Sequence, residues 1–552
     1  ESRALTLLFI VGIAFLVLLL NFSYVMVVNP VSPGIGQREA VTKDRPEPPR
    51  GKITDRRGNV LAISIQKQSL FANPRAIRNP RKVSRTLSEF INKDVSQVYE
   101  RITKERYFVW LARKLDHSTV RKIQELNLAG VGFEPEYERA YPQTIRSGFS
   151  GSGKIGLAAP VLGYVGIDNQ GLDGIELQYN ELLSDVDQFG VKPGPNQQSR
   201  VSSPGVQLTI DQTIQFIAED ELIKMAREER PKNAMVVVMN PQNGDILAMA
   251  NWPSFDPNNF TDFSRFQRRN RAVAHPFEPG STLKVMTVST GLADGDYKPE
   301  TEFFCQSYIY LSRADHTLHC YARHGSVNIP EILIQSCNVG TVKAVQEVDD
   351  GRFFQYMREF GFGNLSGLGL PGEARGVLRR PSQWSALTKP SMAIGQGIST
   401  TALQLTNALS GIVNDGVLMR PRLVRSTVRD GRKKHNEPMR IRRVLPEDVS
   451  DKIKAYMESV ISDGTGRRAY SQDYRLGGKT GTAQKANLEE GGYYEDRVLT
   501  SFIGYGPVGS PKLAISVIVD EPQKGRYGGE VAAPVFRRII ERSLDYLERN
   551  PL

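Results

Sequence analysis

Phe277-Glu278-Pro279-Gly280-Ser281-Thr282-Leu283-Lys284-Val285-Met286-Thr287-Val288 is the stretch on which the reading of the fold turns. Pro279 and Gly280 interrupt the chain, and apolar residues then recur at Val285, Met286, Val288 and Leu292. That pattern predicts a helix beginning at Ser281. At such a start the unpaired N–H groups and the helix dipole favour a developing negative charge. Ser281 and Lys284 stand three residues apart, on one helix face and within reach of each other. A lysine held near other cations can lose its proton and act as a base toward a serine. Taken alone, Ser281 reads as a helix cap.

Two further short motifs follow, Ser336-Cys337-Asn338 and Lys479-Thr480-Gly481-Thr482. Each alone reads as a cap, a turn or a loop; the order and setting of all three carry the signal. Gly477-Gly478 lead into Lys479, which suits an edge strand. There Thr480 and Thr482 can present hydroxyls and a backbone N–H to a substrate carboxylate and oxyanion. The candidate catalytic residues are therefore Ser281, Lys284, Ser336, Asn338 and Lys479, with Thr480, Gly481 and Thr482 as substrate-binding residues.

The segments on either side of these motifs give the fold class. Met235–Met239 reads as a buried strand, and Asp245–Ala250 returns from a Pro241-Gln242-Asn243-Gly244 turn as its hairpin partner. Leu499–Tyr505 and Leu513–Val519 read as two more strands. Ala533–Leu547 carries Phe536, Ile539, Ile540, Leu544 and Leu547 at helical spacing. A helix-rich block, about 281–460, lies between. Strands at both ends of a module with helices between them predict an α+β fold, an antiparallel sheet sandwiched by helices.

Further upstream, the 552 residues exceed one ordinary domain. Ala4–Val28 holds 25 residues without a charge. As a helix it would span roughly 37 Å, enough for a bilayer core of about 30 Å, so a transmembrane signal anchor is expected at 4–28. Pro30, Pro33, Pro46, Pro48 and Pro49 mark a stiff stalk at 29–49. A mixed module, 50–204, ends in a Pro/Gly/Ser-rich stretch, and the motif-bearing module fills 205–548. The formal net charge of +11 favours anionic surroundings such as a membrane or wall polymer, without pointing to nucleic acid. Gly148-Phe149-Ser150-Gly151-Ser152-Gly153-Lys154 imitates a phosphate-binding loop, but Ile155 stands where Ser or Thr would hold Mg²⁺, so it reads as a Gly/Ser loop.

Together these motifs resemble those of the penicillin-binding proteins, and the chain resembles class B, the peptidoglycan D,D-transpeptidases, over nearly its whole length. Arg50-Gly51, Asp55-Arg56, Arg139-Ala140-Tyr141-Pro142, Gly163-Tyr164-Val165-Gly166 and Gly174-Ile175-Glu176 are similar to the family's non-catalytic pedestal. Arg269-Asn270-Arg271, Gly395-Gln396-Gly397-Ile398 and Tyr527-Gly528-Gly529 are similar to its transpeptidase domain. Phe277-Glu278-Pro279-Gly280 resembles the division branch, called FtsI. Cys305, Cys320, His324-Gly325 and Ser336-Cys337-Asn338 resemble the elongation branch.

The resemblance implies that Ser281 attacks a D-Ala–D-Ala carbonyl and Lys284 takes its proton. Ser336 would relay a proton, Asn338 would hold the substrate amide, and Lys479 would supply charge. It implies no cofactor, placement in the cytoplasmic membrane with the catalytic domain outside, and acylation by β-lactams. Implied partners are stem peptides, other division proteins and a membrane glycosyltransferase of the shape, elongation, division and sporulation class, FtsW-like. An elongation-type class B transpeptidase, a β-lactamase or β-lactam sensor, or an inactive division scaffold remains as an alternative function.

The thiols stay open at this point. Cys305 and Cys320 could form a disulfide outside the cytoplasm. A zinc site from Cys305, Cys320, His319 and His324 has suitable ligand types but no standard spacing, and free thiols are the third option. Cys337 reads as a small buried filler.

Overall fold

A computed structural model describes residue 12 and residues 49–148, 153–184, 204–429, 431–487, 489 and 491–552. The chain divides into two compact units, one containing 66–137 and the other 49–65 with 138–552. Among the described residues no helix is long and apolar enough to cross a membrane, and the Ala4–Val28 run, apart from Gly12, lies outside them.

The smaller unit sets the end of the strand Val60–Ala72 beside Val109–Leu115 and Val131–Ala140. Helices Pro80–Ile91, Val95–Ile102 and His117–Glu125 cover it, and Leu70, Leu87, Val98, Leu111 and Ile123 fill its core.

The larger unit is built on a five-stranded antiparallel sheet. Its order is Gly477–Ala486, Tyr493–Gly506, Leu513–Asp520, Asn233–Met239, Ile246–Trp252. Every residue of the last three strands is buried, as expected of a sheet covered on both faces. Phe502 stacks against Phe536 of the C-terminal helix Gly528–Arg549, at 4.7 Å between rings. Ser516, whose register partner Ile503 is the next residue along, bonds instead to Thr406 of the helix Ala402–Val413, 2.6 Å apart. Successive strand residues point to opposite faces, so these two helices lie on opposite sides of the sheet. The expected antiparallel sheet between helices is thus observed. The strand carrying the third motif, Gly477–Ala486, is an edge strand, as its glycines suggested.

Paired strands flank the phosphate-loop imitation. Thr144–Arg146 pairs with Lys154–Gly156, so Lys154 enters a strand where a phosphate-binding loop would start a helix.

Three distant motifs of the N-terminal module meet in one buried ion cluster. Glu176 accepts hydrogen bonds from Arg139 Nε at 2.6 Å and from Arg50 Nε, and Tyr141 donates its hydroxyl at 3.3 Å. The side chains of Arg50, Arg139 and Glu176 are almost wholly inaccessible. Removing one member of such a set leaves buried charge without a counterion. Glu176→Ala is therefore expected to destabilise the fold by about 3–5 kcal/mol, read as a lowered urea midpoint at unchanged m-value. A midpoint within error of the parent protein would show that water or rearrangement relieves both arginines.

Candidate active site

Ser281 lies in a 3-10 turn, Gly280–Leu283, that runs directly into the helix Lys284–Asp294. Gly280 takes φ +55° and donates its N–H to Gly395 O at 3.0 Å. Gly395, at φ +82°, approaches so closely that a Cβ there would sit 2.1 Å from Gly280 O. The Gly395–Gly397 loop thus fixes the turn that presents Ser281.

Lys284 is wholly buried and reaches the second motif. Its Nζ donates to Ser336 O and Asn338 Oδ1, both at 2.6 Å, and lies 3.4 Å from Ser336 Oγ. Ser336 holds φ +54°, a left-handed conformation uncommon outside glycine. That kink ends the preceding helix Ile329–Ile334 and lets Cys337 cap the next, Asn338–Glu347. Asn338 is held from its other side, donating Nδ2 to His319 O at 2.8 Å.

The edge strand brings the third motif against the nucleophile turn. Gly481 is required there, because a Cβ would lie 2.3 Å from Ser501 Oγ and 2.8 Å from Thr282 Cγ2. Thr480 Oγ1 is 2.8 Å from Thr465 Oγ1, and Thr482 Oγ1 accepts the Gly528 N–H at 3.1 Å. Ser281, Ser336, Asn338, Thr480 and Thr482 all line one open cleft of about 920 Å³. Lys284 and Lys479 are fully buried. The structure therefore gathers all the residues singled out from sequence.

Burial sets the electrostatics. Desolvation pushes the Lys284 ammonium down to about 8, against a smaller opposing pull from Cys320 and Cys337. Lys479 falls well below its ordinary value, first through burial and then through the positive charge of Lys284. Burial disfavours a proton on both amines, and the charge of Lys284 adds to this at Lys479.

Other residues of the cleft escaped the sequence reading. Thr465 touches Thr480, yet its Gly464-Thr465-Gly466 context resembles any loop. Gln396 and Tyr527 line the cleft inside segments noted only as family likenesses, and Arg467, Arg468 and Arg526 give its rim positive charge.

The thiols differ from the expectation in two respects. All three are free, so no Cys305–Cys320 disulfide exists. Cys305, Cys320, His324 and Cys337 bring their ligand atoms within 4.8 Å of one another, so Cys337 takes the place expected for His319. The His319 side chain is exposed, and this residue contributes its backbone carbonyl to Asn338 instead. His324 Nδ1 is 3.4 Å from Cys320 Sγ and 3.6 Å from Cys305 Sγ, and the Cys320 and Cys337 sulfurs are 3.9 Å apart. Backbone N–H groups of Asn338 and Gly340 donate to Cys320 and Cys337 sulfur at 3.3 and 3.2 Å. A filler cysteine would need none of this.

Comparison with known proteins agrees with the geometry. Residues 234–541 match the family model of the penicillin binding protein transpeptidase domain, and residues 45–190 match that of the penicillin-binding protein dimerisation domain. Stage V sporulation protein D of Bacillus subtilis is 33% identical, over 100% of this chain and 86% of that protein. The peptidoglycan D,D-transpeptidase FtsI of Escherichia coli K12 is 29% identical, over 91% of this chain and 84% of its own. The crystal structure of penicillin binding protein 3 from Mycobacterium tuberculosis, complexed with aztreonam, superposes with a TM-score of 0.71 at 27% identity, covering 92% of this chain and 98% of that one. A serine at a helix start, a buried lysine three residues after it and an edge strand along one cleft are what an acyl-transfer centre needs, and with the domain matches they show that the chain belongs to the class B penicillin-binding proteins, peptidoglycan D,D-transpeptidases of the serine acyl-transferase type.

Proposed function

We propose that Ser281, Lys284, Ser336, Asn338, Lys479, Thr480 and Thr482 carry the reaction as a set, and that the enzyme crosslinks stem peptides during septal wall synthesis. The observation that carries the site assignment is that one buried amine, Lys284, three residues after the cleft-lining Ser281, contacts both Ser336 and Asn338 of the second motif. Neutral Lys284 takes the Ser281 hydroxyl proton as Oγ bonds to the penultimate D-Ala carbonyl carbon. Backbone N–H groups of Ser281 and Thr482 hold the oxyanion. The C–N bond then breaks, and Ser336 passes a proton to the departing D-Ala amine while the lysine ammonium replenishes it. An amine of a second stem peptide attacks the acyl-enzyme and frees Ser281. Thr480 and Thr482, backed by Lys479, bind the terminal carboxylate.

The septal role rests on the Phe277-Glu278-Pro279-Gly280 lead-in, whose Glu278 accepts the Gly397 N–H at 2.8 Å, and on the FtsI relative. Ala4–Val28 would anchor the chain and bind an FtsW-like polymerase, with the 50–204 module as a pedestal. Small and polar residues, Gly12, Ala14, Asn21 and Ser23, permit close approach between helices there.

The Cys305, Cys320, His324 and Cys337 cluster would hold a structural zinc ion. At Zn–S and Zn–N bonds of about 2.3 and 2.0 Å in a tetrahedron, S···S edges are about 3.8 Å and S···N edges about 3.5 Å. The measured 3.9, 3.6 and 3.4 Å fit those edges. Since Cys337 sits inside the second motif, the ion would brace Ser336 and Asn338.

Incubation with penicillin and intact-mass measurement tests the site assignment. One stable adduct is expected on the parent protein and none on Ser281→Ala. An adduct that survives the change places the nucleophile elsewhere, and rapid hydrolysis of the adduct would favour a β-lactamase.

A further inference from the structure

Much of this chain's positive charge sits in one short stretch. Residues 420–443 contain ten Lys and Arg against two acids, Asp430 and Glu437, a surplus of eight within a chain total of +11. Nine of those cations are exposed. Arg422 is committed to an ion pair with Asp245. Arg440, Arg442 and Arg443 lie on a separate strand paired with Val417–Met419, while Arg425, Arg429, Arg432, Lys433 and Lys434 lie on a two-stranded extension, Val424–Arg429 with Arg432–His435, at the edge of a second sheet. None of its residues lines the catalytic cleft, so substrate binding does not account for it.

Strand register shows where this extension points. Lys52 pairs with Gly205, Gly205 pairs with Val428, and Arg429 pairs with Arg432 across the turn. The basic turn and the exposed Lys52 therefore share one end of the sheet, three inter-strand spacings of about 4.8 Å apart. That end is where the chain enters this unit from its N-terminal side. Val28, the last residue of the uncharged run, precedes Lys52 by 24 residues. Such a length spans at most about 80 Å, so the surface holding the run stays within reach of the turn.

We propose that the Arg429–Lys434 turn is a docking surface for the anionic phosphate headgroups of the membrane that anchors the chain. The inference rests on the anchor reading of Ala4–Val28. Arg429, Arg432, Lys433, Lys434 and Lys52 would meet lipid phosphates with charge-assisted hydrogen bonds. The anchor makes this second contact intramolecular, so a weak site suffices at high effective concentration. Docking one end of the sheet restricts how the catalytic unit stands over the bilayer. A wall polymer with phosphate groups offers similar chemistry, but the shared end with the chain entry favours the membrane.

The test uses the full chain in vesicles of phosphatidylcholine alone or with about a third phosphatidylglycerol. A donor dye on His435→Cys reports energy transfer to headgroup acceptors; the three native thiols are buried and leave the label specific. Transfer is expected to be higher on the anionic vesicles. High salt, or the triple change R432Q, K433Q and K434Q, should return it to the neutral-lipid level, with occupancy falling roughly fivefold per cation removed. Penicillin acylation should not change. Equal transfer on both lipids, or no effect of the triple change, overturns the proposal. So does salt-sensitive capture of soluble poly(glycerol phosphate) by the turn without a lipid difference, which would assign it to a wall polymer. Flotation with neutral vesicles tests the anchor separately; a chain that fails to float defeats the anchor reading itself.

Discussion

Lys284→Arg is expected to abolish penicillin acylation as completely as Lys284→Ala, with a loss of roughly 10²–10⁴-fold for a missing general base. The arginine keeps charge and length but does not give up its proton in a protein. It therefore separates a base from a positively charged strut between Ser336 and Asn338. The parent protein supplies the matching pH signature. Burial depresses the Lys284 ammonium to about 8, so the reactive neutral amine gains population as pH rises through that value. Acylation should climb with pH toward 8 and level off above it. The climb should vanish in both variants. A second check uses Asn338→Ala, which removes the 2.6 Å acceptor of the Lys284 proton and shifts the midpoint while some activity persists. Parent-like acylation by Lys284→Arg would show that another group takes the Ser281 proton.

Elements with a long apolar signal were legible in the sequence, and those built by contact were not. Met235–Met239 and Leu513–Val519 emerge within a residue or two of their true bounds, because every side chain there is buried and apolar runs are conspicuous, and the Pro241–Gly244 turn stands out by its turn residues. The last helix starts at Gly528, five residues before the expected start at Ala533, since the two leading glycines discourage a helical reading. The strand Val60–Ala72 continues through Gln66-Lys67-Gln68, a polar patch that hid its second half. The three- and four-residue strands around Cys305, Tyr308, His316 and Gly325 are too short for any period to show. At the site, residue types with known chemistry stood out, whereas Thr465 matters only because it meets Thr480 across the cleft. Cys337 is the clearest case. Its partner Cys305 lies 32 residues away in sequence, and only the fold of the small strands makes them neighbours.

The full-length protein should carry about one zinc ion per chain, and removing it should cost both stability and acylation. Three thiolates and one imidazole form a complete tetrahedral set, typical of a structural site closed to substrate. Binding energy at such sites feeds directly into folding, with apparent values of about 10–16 kcal/mol in small zinc domains. Within this large unit the loss should be smaller, because the hydrophobic core persists, but the second motif should loosen. Cys320 and Cys337 sulfurs accept the N–H groups of Asn338 and Gly340, so the ion would fix the first turn of the helix that presents Asn338. Metal analysis of the purified chain gives the stoichiometry, and a thiol reagent counts accessible sulfurs before and after chelation. Chelation is expected to lower the melting temperature, expose three reactive thiols and slow penicillin acylation, with zinc alone restoring all three. Cys305→Ser offers the sharper comparison, since Cys305 reaches the second motif only through this cluster. It should lose the ion and acylate more slowly, although Ser281, Lys284 and Asn338 are untouched. A metal-free chain with three titratable thiols and full acylation would show that the cluster is packing alone, and that the left-handed Ser336 kink holds the motif without an ion.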